Sequence, residues 1–205
     1  MRPRFVVIVE WLALAAVSSC FVVLGARIAT GAPTSHDACL ALACVPLGIA
    51  VADLLSGIVH WACDTFLAET TPVLGPLIIA PFREHHRDPT AIVRHGFVER
   101  NANTSFAAIP IACVGLAHGA SFVLSAWALG CSLAVFATNQ LHAWAHAESV
   151  PRAVRWLQRH GAVLAPAKHA AHHRAGDVRY CVTTGWMSAL LDRTLAILSA
   201  PRGTS

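Results

Sequence analysis

The sequence predicts an all-α integral membrane protein, a four-helix bundle carrying a histidine-rich di-metal site on its cytoplasmic face. Three observations point there. Hydrophobic residues make up 56% of the 205 residues and charged residues only 13%, about half the usual share of a soluble domain, and the mean hydropathy is +0.57. Four apolar stretches approach the roughly 20 residues needed to cross a bilayer. Twelve histidines are present, most of them in tight clusters.

The length fits one domain over 1–205, with spans at about 5–26, 38–64, 103–117 and 121–142. The first carries one acid, Glu10, and the second carries Asp53 in its interior. Arg2 and Arg4 ahead of an apolar run, followed by Val17-Ser18-Ser19-Cys20, loosely resemble a cleaved lipoprotein leader. The apolar run continues from Phe21 to Ala26, where a lipoprotein would turn polar, so a retained span is expected. The third stretch is short, and His118-Gly119 supplies a tight turn into the fourth. Seven scattered cysteines form no CxxC pair, which argues against a disulfide framework or a zinc ribbon. A net charge of +4 in so apolar a chain gives no nucleic-acid surface.

Lys and Arg set the orientation. Only Arg27 falls between the first and second spans, and the His118-Gly119 turn has none. The rest lie at the N-terminus, in the loop 68–104, or after the fourth span. The positive-inside rule then places both termini and that loop in the cytoplasm, as in a multi-pass protein of a bacterial inner membrane. In the loop, Thr71 to Pro76 breaks the helix, and Leu77 to Ala80 is an interfacial segment. Pro151 to Leu164, with Val154, Trp156 and Leu157 among Arg152, Arg155 and Arg159, reads as a surface amphipathic helix; Trp186 to Leu198 has a similar character.

The histidines fall into four clusters: His60 with Asp64, Glu84-His85-His86, His142 with His146, and His169 with His172-His173. An i,i+4 spacing puts both side chains of a pair on one helix face, and Asp53 and Gly57 extend the His60–Asp64 stripe. The topology was set by Arg and Lys alone, yet it brings all four clusters to one side of the membrane. HxxxH aims two imidazoles at one ion, and HxxHH lets a third reach a second ion. So many imidazoles, with Asp64 and Glu84 nearby, exceed what one ion takes, and they suit Fe, Zn, Cu or Ni. His36, His118 and His160 read as ordinary hydrogen-bonding histidines, and Trp61 and Trp144 as interfacial anchors. Asp53 is either a hydrogen-bond partner of a ligand or structural. A metal transporter would set His and Asp along a path through the midplane; here the histidines sit at one face.

GIVHWACDTF (57–66), EHHRDPTAIVRHGFVERNANTS (84–105), NQLHAWAHAE (139–148) and PAKHAAHH with YCVTTGWMSALLD (166–192) resemble the plasmanylethanolamine desaturase family, which makes plasmalogens. HxxHH is shared by many membrane oxygenases; EHHxDPTAI and HH followed by YCxTTGW are more specific. The first span contributes little to the likeness. The resemblance implies O2-dependent desaturation of an ether phospholipid: two hydrogens leave the carbons beside the sn-1 ether oxygen, giving a vinyl ether. It implies two iron ions, and electrons from a small donor such as a b-type cytochrome or a ferredoxin. Redox work on an inert C–H bond is what favours iron over zinc. The implied ligands are His60, His85, His86, His142, His146, His169, His172 and His173, with Asp64 a ligand or a partner of one. His95 stands at the family's RHxF position. Gly96 stands where an acidic residue is expected, and Arg100 in a usually neutral place. An acyl-lipid desaturase or a hydroxylase would share this ligand set.

Overall fold

The computed structural model describes residues 3–66, 68–72 and 74–199, without the side chain of Leu77. Arg2 and the tail 200–205, which enter the charge argument, lie outside the described residues. Those described are helical wherever they are regular, with no strand among them.

Four long helices carry the architecture: α1 (Arg4–Thr30), α2 (Ser35–Thr65), α5 (Phe97–Leu116) and α6 (Phe122–His146). α6 is central and packs against α2, α5 and α1, while α1 also packs against α5. α1, α2 and α6 are long and apolar enough to cross a membrane. α5 is not among these, because its first turns carry Glu99, Arg100, Asn101 and Asn103. It begins at Phe97, earlier than the expected 103, so a segment taken as loop is its polar first turn.

Local chemistry sets the ends. Thr34 and Asp37 form a reciprocal capping box at the start of α2. Ser121 caps α6 through the N–H of Leu124. Between α5 and α6, Gly119 takes φ +79° in the expected turn. Arg27, at the end of α1, donates to the carbonyls of Leu116, Ala117 and Ala120. Arg27 thus ties α1 to that turn.

The core is small-residue packing around Val17, Ala52, Ala108, Cys131 and Val135. Gly48 lets α2 approach α6 closely: a Cβ there would lie 2.9 Å from the Trp127 carbonyl oxygen. Such contacts are how helices pack without a hydrophobic drive between them. Outward-facing Leu12, Val22, Leu42 and Leu47 are exposed, as a lipid-facing surface requires.

The short helices lie over one end of this set. A π-helical turn (Gly75–Ile79) runs into α3 (Ala80–Arg87). The expected interfacial segment is therefore continuous with the helix that carries His85 and His86. α4 (Ala91–Arg94) follows. After α6 come α7 (Arg152–Arg159), α8 (Pro166–Ala175) and α9 (Ser188–Ser199). α7 is two-faced: Val154 and Gln158 are buried, and Arg152, Arg155, Trp156 and Arg159 are exposed. Gln158 donates to the Trp144 carbonyl, docking α7 on α6.

Candidate metal centre

Four helices bring nine of the sequence-predicted side chains to one place. α2 supplies His60 and Asp64, α3 His85 and His86, α6 His142 and His146, and α8 His169, His172 and His173. Their ligand atoms sort into two adjoining groups. One is His85, His142, His169 and His173; the other is His60, Asp64, His86 and His172. Within each, one ligand atom per residue lies within 4.8 Å of every other. His146 joins the first group: its Nε2 is 2.8 Å from that of His169 and 3.3 Å from those of His142 and His173.

Each HH doublet splits between the groups. His85 goes to one and His86 to the other; His173 goes to one and His172 to the other. Consecutive residues on a helix point about 100° apart, so one doublet can serve two neighbouring centres. The rings of His85 and His86 lie 4.3 Å apart, and those of His60 and His172 4.7 Å apart.

The spacings fit metal coordination. Two nitrogens each about 2.0–2.1 Å from one ion lie about 2.9–3.4 Å apart at right-angled to tetrahedral angles. Nε2 of His169 is 2.8 Å from that of His142 and 3.0 Å from that of His173. In the other group His86 Nε2 is 3.0 Å from Asp64 Oδ2, and His60 Nε2 is 3.3 Å from both. Nε2 of His85 and of His172 are buried with no hydrogen-bond partner. A buried imidazole nitrogen left without a partner is costly unless it is a ligand.

Imidazoles must be neutral to bind metal, and burial arranges this. Burial first, then the neighbouring His86, pushes His85 down to about 2. Burial and His146 push His173 to about 3. His169 is lowered for the same reasons. His172 is also lowered by burial, offset in part by the Val178 carbonyl and by Asp64.

The segment between α8 and α9 forms a shelf beneath the second group. Gly176, at φ +78°, ends α8. His172 Nδ1 is 2.6 Å from the Val178 carbonyl oxygen, and His60 Nδ1 is 3.1 Å from that of Tyr180. A carbonyl at Nδ1 fixes the proton there and turns Nε2 toward the centre. Arg179, between these two carbonyls, has φ +62°, and its N–H donates to Asp192. Asp53 holds the rest: Oδ1 accepts from the N–H groups of Thr183, Thr184 and Gly185, and Oδ2 from Met187, at 2.7–3.1 Å. Of the two roles open to Asp53, the structure shows the structural one. Gly57 makes room for the shelf, since a Cβ there would lie 2.5 Å from Cys181 Sγ.

Other expected residues stand apart. His95 pairs with Glu99 at 3.2 Å and belongs to neither group. Glu84 is exposed. His36 and His118 are exposed, and His160 stacks on Trp156. Trp61 packs edge-on against Phe66. Gly96 is the N-cap of α5 with open space around it. Arg100 gathers the preceding turn by donating to the carbonyls of Ile92, Val93 and His95 and to Gln140.

Sequence reasoning missed two features. One is the shelf, whose only signals were a costly acid in a span and the YCVTTGW run. The other is a cavity of about 430 Å³ between α1, α3, α5 and α6. Exposed Phe5 and Phe106 line it, as do His85 and His142, so it joins the outer surface to the first histidine group. That size is typical of a small-molecule site.

The lipid desaturase domain model matches residues 49–198, which hold all nine clustered side chains. The chain is 44% identical over 154 residues to the plasmanylethanolamine desaturase of Myxococcus xanthus, covering 73% of this chain and 55% of that protein. It is 36% identical over 160 residues to plasmanylethanolamine desaturase 1 of Mus musculus, covering 72% and 59%. It is 33% identical over 151 residues to the chloroplastic fatty acid desaturase 4 of Arabidopsis thaliana, covering 72% and 46%. The chain thus spans about half the length of these curated relatives. No solved structure matches it. The chain belongs to the lipid desaturase domain family.

Proposed function

We propose that the chain is a membrane desaturase that holds two iron ions and forms the vinyl-ether double bond of an ether phospholipid. The observation that carries this reading is the pair of adjoining ligand groups with a cavity opening onto one of them. Eight imidazoles and a carboxylate are too many donors for one ion, and two groups of four or five suit a pair. The likeness to two proteins named plasmanylethanolamine desaturase supplies the substrate class.

His85, His142, His146, His169 and His173 hold one ion, and His60, Asp64, His86 and His172 the other. The chemistry a bound iron pair supplies is reduction of O2 coupled to removal of two hydrogens from an unactivated –CH2–CH2– unit. The balance is one O2, two electrons and two protons from outside the chain, and the two substrate hydrogens, giving one C=C and two waters. The protein's part is to keep the imidazoles neutral and oriented, to exclude water, and to bring the carbon beside the ether oxygen to the end of the cavity at His85 and His142. The ether oxygen lies next to the head group, so the reacting carbon sits near the membrane surface. The reading therefore places the histidine end of four spanning helices, α5 included, at the cytoplasmic interface, within reach of a soluble electron donor such as a b-type cytochrome or a ferredoxin. The excess of arginine at that end supports the orientation.

The test is lipid analysis of a host with and without the gene, supplied with an alkyl glycerophospholipid. Acid-labile vinyl-ether lipid and two irons per chain are expected. A new acyl double bond instead would favour the activity named for the Arabidopsis relative. Stoichiometric zinc, with no activity restored by iron, would sink the oxygen-dependent reading.

A further inference from the structure

The matched region begins at residue 49, so α1 lies outside it. Yet Phe5, Val6, Val9 and Glu10 of α1 form one wall of the cavity that ends at His85 and His142. The i,i+3 and i,i+4 relation of Val6, Val9 and Glu10 puts them on one helix face. Burial says which way that face turns. Glu10 is 8% exposed, whereas its neighbours Trp11 and Leu12 are 59% and 63% exposed. Across the cavity stand Ala102 and Phe106 of α5. Phe5, Val9 and Phe106 are themselves partly on the outer surface, so the opening lies between α1 and α5, where lipid would meet the protein.

We infer that α1 is the substrate-selecting wall: the sn-1 alkyl chain of a glycerophospholipid enters between Phe5 and Phe106 and lies along Val6 and Val9. This rests on the desaturase reading for the identity of the lipid. The occupant follows from the cavity's two ends. The outer end is apolar and open to the bilayer, and the inner end is the histidine group. Glu10 is the polar group that α1 presents to the cavity, beside the polar lining that α5 and α6 supply through Glu99, Arg100, Asn103 and Asn139. α1 supplies no histidine to either group, so changes in this wall should alter lipid occupancy without altering metal content.

The experiment uses the full iron-loaded chain in phosphatidylethanolamine vesicles containing an alkyl glycerophosphoethanolamine with a diazirine on its alkyl chain. Expected is labelling concentrated on residues 5–10 and 102–106 and competed away by unlabelled alkyl lipid. Val9→Trp should cut that labelling by about tenfold or more by filling the cavity. Leu12→Trp, on the outer face, should not, and iron content should be equal in all three. Labelling spread over Trp11, Leu12 and Val22 and indifferent to competitor would overturn the inference. So would Val9→Trp labelling like the wild type. The wild-type map decides the matter even if Val9→Trp fails to accumulate. Conversion of the probe to a vinyl ether is scored separately. Labelling of the wall without conversion would remove the proposed activity and leave the wall; conversion without labelling there would do the reverse.

Discussion

The two ligand groups sit side by side, yet they are built differently. One gathers five imidazoles and no carboxylate, and two of the five, His85 and His142, line the cavity. The other combines three imidazoles with Asp64, and two of those imidazoles hydrogen-bond to carbonyls of a single loop. In the first group, His169 Nδ1 has no hydrogen-bond partner among the described residues. The difference separates two jobs. A carboxylate and a braced loop fix the charge and geometry of one position. A less braced group faces the cavity, where the proposed reading brings substrate and O2.

The largest effects should come from removing a ligand from either group. His172→Ala takes an imidazole from the braced group and His173→Ala one from the cavity-facing group. Each is expected to abolish product and lower the iron content. Loss of a hydrogen-bond partner to a ligand costs about 10–100-fold, and a ligand should cost more. His160→Ala is the control, since that ring stacks on Trp156 away from both groups, and it should keep normal activity. Near-normal product from both tail variants would refute the ligand assignment. His146→Ala should be milder than His142→Ala, because four imidazoles remain close-set without His146.

Asp64→Asn removes the only carboxylate of the pair and tests whether the two positions differ in charge. A loss of about 10- to 100-fold in activity is expected. Mössbauer spectra of the iron-loaded protein should show one of two components changed and the other kept. Equal change in both would erase the distinction drawn between the groups.

The shelf offers a smaller perturbation. Asp53→Asn keeps one acceptor oxygen but sets an amide NH2 among four backbone donors, and hydrogen bonds to a charged acceptor are worth about 1.5–3 kcal/mol each. The variant should melt earlier and lose about tenfold in activity, through the braced group alone. If the iron component unaffected by Asp64→Asn is the one that changes, the shelf has been assigned to the wrong group.

How legible this was from the sequence depended on the range of each interaction. HxxxH and HxxHH are local spacings on a helix and point to five of the nine side chains, while His60, Asp64, His85 and His86 follow from short clusters and the family resemblance, so all nine could be named before their positions were known. The sorting into groups could not, because it depends on how α3 and α8 lie across the ends of α2 and α6. The split of His85 from His86 is a consequence of that packing. Apolar length located α1, α2 and α6 to within a few residues. It misjudged α5, whose polar first turn has no hydropathy signal. Asp53 stood out as a costly acid in a span, yet its four backbone partners lie more than 120 residues away. The cavity wall on α1 carries no motif.

The smallest expected effect concerns protons in the metal-free protein. His85 and His173 titrate at about 2 and about 3 in the fold, against about 6.5 when unfolded. Between those values the unfolded chain binds more protons than the folded one, so stability rises with pH there. The contribution is complete above about pH 6.5 and is lost as pH falls toward the folded values. His172 is depressed too, but the Val178 carbonyl and Asp64 offset part of the shift. Acid sensitivity should therefore reside mainly in the five-imidazole group, which has no carboxylate to accept a new positive charge. Melting of metal-free protein in detergent, compared at pH 7.5 and pH 5, should show a lower midpoint in acid. His173→Gln, which cannot take up the proton, should flatten that dependence more than His172→Gln does. The opposite ranking would mean that Asp64 does not shield its own group, and the electrostatic half of the comparison would fall.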